Sequence, residues 1–215
     1  MKRRTLDLLF SAGGLILAAL LVIAGIVLNS NASFANDYVQ DQLTAQKIMF
    51  KPADALTDEE KASACLVNYA GQQLTTGKQA ECYANDFIGL HLQSVANGQT
   101  YAELGAPQAA LREQVATAEQ NNDPALPQLQ TQLDEINVQR DTLFKGETLR
   151  GLLLTSFGFS EFGTKAGQAA TVAYIAAAIL ALLSVAGFIH AFRTPKSEGF
   201  AVPDPDKPAD PATSV

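Results

Sequence analysis

The sequence predicts an all-α chain in which two transmembrane helices flank an extracytoplasmic helical domain made of helical hairpins. Three observations predict it. Two apolar runs without a formal charge, Leu8 to Leu28 and Ala169 to Phe192, lie near the two ends of the 215 residues. Cationic side chains flank these runs on their terminal sides, whereas the stretch between them is acidic. Within that stretch, apolar residues recur three and four positions apart, the spacing of one helix face.

The first run is dominated by Leu, Ile, Val, Ala and Gly. At about 1.5 Å per residue it covers roughly the 30 Å of a bilayer core. A helix satisfies every backbone polar group internally, as hydrocarbon demands. The predicted organisation is a cytoplasmic N-terminus over 1–7, a transmembrane helix over 8–29, an extracytoplasmic domain over 30–167, a second transmembrane helix over 168–192, and a cytoplasmic tail over 193–215. Orientation follows from Lys2, Arg3 and Arg4 before the first run and from Arg193 and Lys196 after the second. Cationic flanks stay inside, so both termini are expected in the cytoplasm. Between Ser30 and Lys165, nine Lys and Arg stand against seventeen Asp and Glu. A basic start, an apolar run and Ser33-Phe34-Ala35 also resemble a cleavable signal peptide, although the run is longer than a signal core.

Asn36 to Phe50 continues the helical spacing through Val39, Leu43 and Phe50, as a stalk that Pro52 ends. Thr57-Asp58-Glu59-Glu60 reads as a capping box that opens a helix running to about Leu74. Thr75-Thr76-Gly77 reads as a turn, and a second helix follows from about Lys78 to Ala96. So short a link makes the two helices antiparallel neighbours. Cys65 and Cys82 fall on them, and an even pair in an exported segment points to a disulfide, worth about 3 kcal/mol for a loop of this size. A redox-active pair is the alternative, without the Cys-x-x-Cys spacing.

Thr100 to Leu104 looks like a further capped start. A helical hairpin is predicted over 106–145, with Leu111, Val115 and Ala118 on one arm. On the other arm Leu126, Leu129, Leu133, Ile136, Arg140 and Leu143 make a heptad seam with one polar position. A dimeric coiled coil is the alternative. Gly146 is expected to interrupt. Glu147 to Phe162 is apolar and aromatic, either core or a segment at the membrane surface, with Phe157, Phe159 and Phe162 as its candidate interface. The tail from Thr194 has five prolines and reads as disordered.

In the spans, Gly14, Ala18 and Gly25 share one face, and Ala173, Ala177, Ala181 and Ser184 form a stripe. Small residues let membrane helices approach closely, either each other or another membrane protein. The two histidines, His91 and His190, fall on opposite sides of the predicted membrane. His91 reads as a lone surface histidine and His190 as an interfacial one, with no acidic residue inside either span. Zinc or iron sites normally need three or more placed ligands, and no nucleotide loop or nucleophile motif is visible. No catalytic, metal or cofactor set is therefore expected, and the acidic middle disfavours nucleic acid as a partner.

Gln42-Leu43-Thr44-Ala45-Gln46-Lys47-Ile48, Asn97-Gly98-Gln99-Thr100-Tyr101-Ala102-Glu103-Leu104 and Thr148-Leu149-Arg150-Gly151-Leu152-Leu153-Leu154-Thr155-Ser156 occur in that order. This resembles a group of small actinobacterial two-span membrane proteins, often labelled "aromatic ring-opening dioxygenase". The resemblance covers most of the chain except about 106–138 and the tail, and it implies topology. The label implies an iron site of two histidines and a carboxylate, which histidines on opposite sides of a membrane do not supply. These readings lead to a non-enzymatic cell-envelope protein, an accessory or scaffold subunit whose outer domain contacts a partner. Its expected partners are the bilayer and a membrane protein or a second copy. A ligand-binding or sensing module is the alternative. A deep polar pocket would favour that alternative, and a flat apolar patch around Phe157 to Phe162 the first reading.

Overall fold

The computed structural model describes residues 3–195. Among these the protein is all-helical, apart from short links and one antiparallel bridge between Met49 and Gln73. Seven α-helices follow in order: α1 (Arg3–Gln46), α2 (Asp58–Lys61), α3 (Ala64–Tyr69), α4 (Gly77–Cys82), α5 (Gly89–Ser94), α6 (Gly105–Asn121) and α7 (Leu126–Arg193). A π-helical segment, Tyr83–Ile88, joins α4 to α5. Both α1 and α7 contain stretches long and apolar enough to cross a membrane. The predicted tail beyond Pro195 lies outside the described residues.

The chain divides into two compact units. The terminal unit comprises Met1–Ser30 and Gly167–Val215, and the central unit Asn31–Ala166.

In the terminal unit the residues buried between α1 and α7 are small: Ser11, Ala18, Ala170, Ala173, Ala177, Ser184 and Ala191. Two glycines and two serines interlock. Gly14 faces the Ser184 hydroxyl and Gly187 faces the Ser11 hydroxyl, so a Cβ on either glycine would collide with the opposing serine. Gly25 takes the Tyr174 ring, whose Cε1 would lie 2.6 Å from an added Cβ. The large apolar side chains point away from this seam. Phe10 is 77% exposed and Leu182 71%.

The central unit has the opposite arrangement. Leu66, Leu74, Ala80, Ala84, Leu104 and Leu143 are buried in one core together with Val39 and Leu43 of α1 and Leu153 of α7. The Cys65–Cys82 disulfide, with Cα atoms 6.0 Å apart, ties α3 to the end of α4. The α6 seam and the start of α7 are linked by Gln108 Nε2 to Asn137 Oδ1 at 2.6 Å and by Arg140 Nη1 to Gln108 Oε1 at 2.7 Å. Arg140, the polar position of the heptad seam, also lies over the Tyr101 ring at 4.1 Å.

Several boundaries differ from the sequence reading. The stalk ends at Gln46 rather than Pro52, because Lys47 turns left-handed (φ 53°) and its N–H closes on Thr44 O. The helix expected up to Leu74 breaks after Lys61. Ser63 caps a new one by accepting the Leu66 N–H, and Gln72 to Leu74 instead bond to Ile48 and Phe50. Gly77 is helical rather than in a turn, since Thr76 and Gln79 form a capping box in front of it. Thr100 does bond to Glu103, but α6 starts only at Gly105.

Gly146 does not interrupt. One helix runs from Leu126 through Gly146, Gly151, Gly158 and Gly163 to Arg193, and Glu147 to Phe162 is a stretch of it. The glycine serves close packing: an added Cβ at 146 would lie 2.5 Å from Leu92 Cδ2.

Candidate functional site

The strongest concentration of polar chemistry surrounds Glu60, at the third position of α2. Its side chain is 0% exposed, so its charge must be met inside the protein. Lys51 Nζ donates to Oε1 at 2.7 Å, and the Thr57 backbone N–H donates to Oε2 at 2.9 Å. The Glu60 N–H returns to Thr57 Oγ1 at 3.2 Å, which completes the capping box. Burial, the largest influence, pushes the Glu60 carboxyl up. The hydrogen bonds from Lys51 and Thr57, with the charges of Lys51 and His91, together outweigh it and hold the carboxyl below its ordinary value.

His91 lies at the surface, as expected, but is not alone. Its Nε2 lies 3.5 Å from Glu60 Oε1 and its Nδ1 2.6 Å from the Phe87 carbonyl. Phe87 lies against this cluster, with Tyr83 and then Phe50 packed behind it. The Tyr83 and Phe87 ring centroids lie 4.6 Å apart and those of Phe87 and His91 4.5 Å apart, both pairs tilted, and Lys51 Nζ lies 5.2 Å from the Phe87 centroid. Burial first, and then the Glu60 charge, push the Tyr83 hydroxyl up.

The π-helical segment carries both Tyr83 and Asn85, which face different sites. Asn85 lines a half-open cleft of about 470 Å³ together with Gln93, Gln99, Tyr101 and Arg150. Arg150 donates to Asn85 Oδ1 at 3.2 Å and to Glu147 Oε2 at 3.3 Å, while its Nε is enclosed without a partner. The loop on the cleft's edge contains three consecutive left-handed residues, Ala96, Asn97 and Gly98. π-helical turns and left-handed non-glycine residues are both costly and recur at binding sites.

A second cleft, of about 500 Å³, is apolar. Tyr38, Val39 and Leu43 of α1 and Leu149, Leu152 and Phe159 of α7 line it. At one end Phe34, Tyr38 and Phe159 form a ring cluster with centroids 5.9–6.5 Å apart.

The predicted site residues are placed as follows. Gly14, Ala18, Gly25, Ala173, Ala177 and Ser184 lie on the seam of the terminal unit, whereas Ala181 is only half-buried. Phe159 and Phe162 are exposed, Phe162 at 76%. Phe157 is half-buried, with Lys78 Nζ 4.5 Å from its ring centroid. His190 has an acidic neighbour after all, because Asp7, one residue outside the first apolar run, brings Oδ2 to within 3.8 Å.

Cys65, Cys82 and Asp86 bring ligand-type atoms within 4.8 Å of one another. Both sulfurs are bonded to each other, so this trio offers a cation one carboxylate. The Glu60 cluster was missed because its members come from a loop, α2 and α5. The one signal in the sequence was the capping box. Comparison with protein-family models, curated proteins and solved structures returns no match to this chain.

Proposed function

We propose that this chain is a non-enzymatic membrane protein of the cell envelope, an accessory or scaffold subunit. In this reading both termini lie in the cytoplasm and residues 30–167 lie outside as a domain of helical hairpins. The observation that carries it is the inverted burial of the terminal unit. Small and hydroxylated residues face inward while Phe10, Ile16, Ile179 and Leu182 face outward, an arrangement suited to hydrocarbon rather than water. The exposed rings of Phe34, Tyr38, Phe159 and Phe162 favour contact by the central unit with an apolar surface or partner. The acidic middle and the basic flanks support the orientation.

The test is cross-linking in intact native membranes, followed by purification in mild detergent and mass spectrometry. A second polypeptide recovered in stoichiometric amount is the expected result. Recovery of this chain alone overturns the accessory-subunit reading. It would favour a ligand-binding module, for which the half-open cleft at Asn85 and Arg150 is the supporting feature. Membrane insertion is tested separately, by resistance to alkaline carbonate extraction.

A further inference from the structure

We propose that the apolar cleft between α1 and α7 in the central unit is a self-association surface, occupied by the same face of a second copy of this chain. The first ground is charge. None of the residues lining this cleft is ionisable at neutral pH, yet the stretch from Ser30 to Lys165 holds seventeen acidic residues against nine basic ones. In a two-fold contact each side chain meets its own twin or a near neighbour of that twin, so any charge there would repel itself. An uncharged strip in an acidic unit meets that requirement.

The second ground is spacing. Leu149, Leu152, Ser156 and Phe159 of α7 follow one another at three, four and three positions. This is the seam spacing of parallel helices that pack knobs into holes. Leu153, one position beyond Leu152, also lines the cleft and joins it to the core of the central unit.

The third ground is that the surface offers both halves of a contact at one level of the helix. Leu152 is 62% exposed and forms a ridge beside the buried Val39 and Leu43, flanked by the partly exposed Leu149 and Phe159. A two-fold axis along α7 carries each ridge into the other copy's cleft. The inference rests on the membrane reading in one respect: two copies inserted the same way up present α7 in parallel.

The test uses the full chain in native membranes. The two native cysteines are bonded to each other, so a single introduced cysteine is the one free thiol. L152C is expected to give a covalent dimer with a short bifunctional thiol reagent. G151C, at an open position about 100° around the helix, is expected not to. Adding F159D to L152C should lower the cross-linked fraction roughly tenfold.

Equal cross-linking at both positions, or none at L152C, overturns the proposal. So does cross-linking of L152C to a different protein, which would assign the cleft to that partner. Carbonate extraction of the same membranes separates the two failures. Protein that is washed off defeats the membrane reading, and protein that stays but does not cross-link defeats the self-association.

Discussion

In the terminal unit, Ser11 and Ser184 are both only 4% exposed, while leucines, isoleucines and Phe10 cover the outside. In the central unit, Leu66 and Leu74 are sealed inside and most carboxylates are at the surface. The two distributions are near mirror images. Removing apolar area from water drives the second; in the membrane reading proposed above, dispersion at close approach drives the first. The means of cohesion differ accordingly. The central unit uses a disulfide, a partly buried ion pair and capping boxes. The terminal unit uses glycines that admit a serine or a ring.

Substitutions in each unit test this contrast. The largest effect is expected at Glu60. Glu60→Ala removes the charged acceptor of Lys51 and the Thr57 N–H and uncaps α2, for about 3–4 kcal/mol lost by the central unit. Chemical unfolding followed by near-ultraviolet circular dichroism would read it. An unchanged midpoint would show that the cluster is not structural. Replacing both cysteines with serine is expected to cost about 3 kcal/mol in the same assay. That cost should fall on the central unit alone. A comparable loss of protease protection for the apolar stretches would defeat the idea of separate means of cohesion.

Gly14→Leu drives a side chain into Ser184 and should destabilise the terminal unit by about 1–3 kcal/mol. At Gly13 an added Cβ meets nothing within 4 Å, so Gly13→Ala serves as the control. Thermal melting in detergent compares them, and equal melting temperatures would dismiss the interlock.

Acid should act on the central unit. Glu60 has its carboxyl held below the ordinary value of 4.5. Its contribution is therefore complete above that value and is lost as pH falls through the lower, folded one. A stability titration from neutral pH downward should show this loss in the parent and not in Glu60→Gln. The smallest effect is expected at Gly151, which is helical, exposed and open. Gly151→Ala should stabilise by about 0.5–1 kcal/mol, whereas Gly146→Ala, against Leu92, should destabilise.

Helical class, the two apolar helices, the capping boxes at Thr57 and Thr76 and the inward faces of α6 and early α7 depend on residues within a few turns of one another. Local pattern reports such features directly. Thr57-Asp58-Glu59-Glu60 shows that Glu60 caps a helix, but not that Lys51 and His91 converge on it. His91 looks solitary because its partner is thirty-one positions away in the chain.

The helical class, the apolar stretches, the charge asymmetry and the candidate cysteine pair are legible along the chain, because composition and spacing suffice for each. Long-range packing settled that Gly146 lies inside a continuous helix and that Gly14 receives Ser184. It also decided that the 48–50 and 72–74 segments pair and that a buried carboxylate gathers a lysine and a histidine. A glycine reads the same whether it breaks a helix or admits a neighbour. The difference lies in what approaches it from elsewhere in the chain.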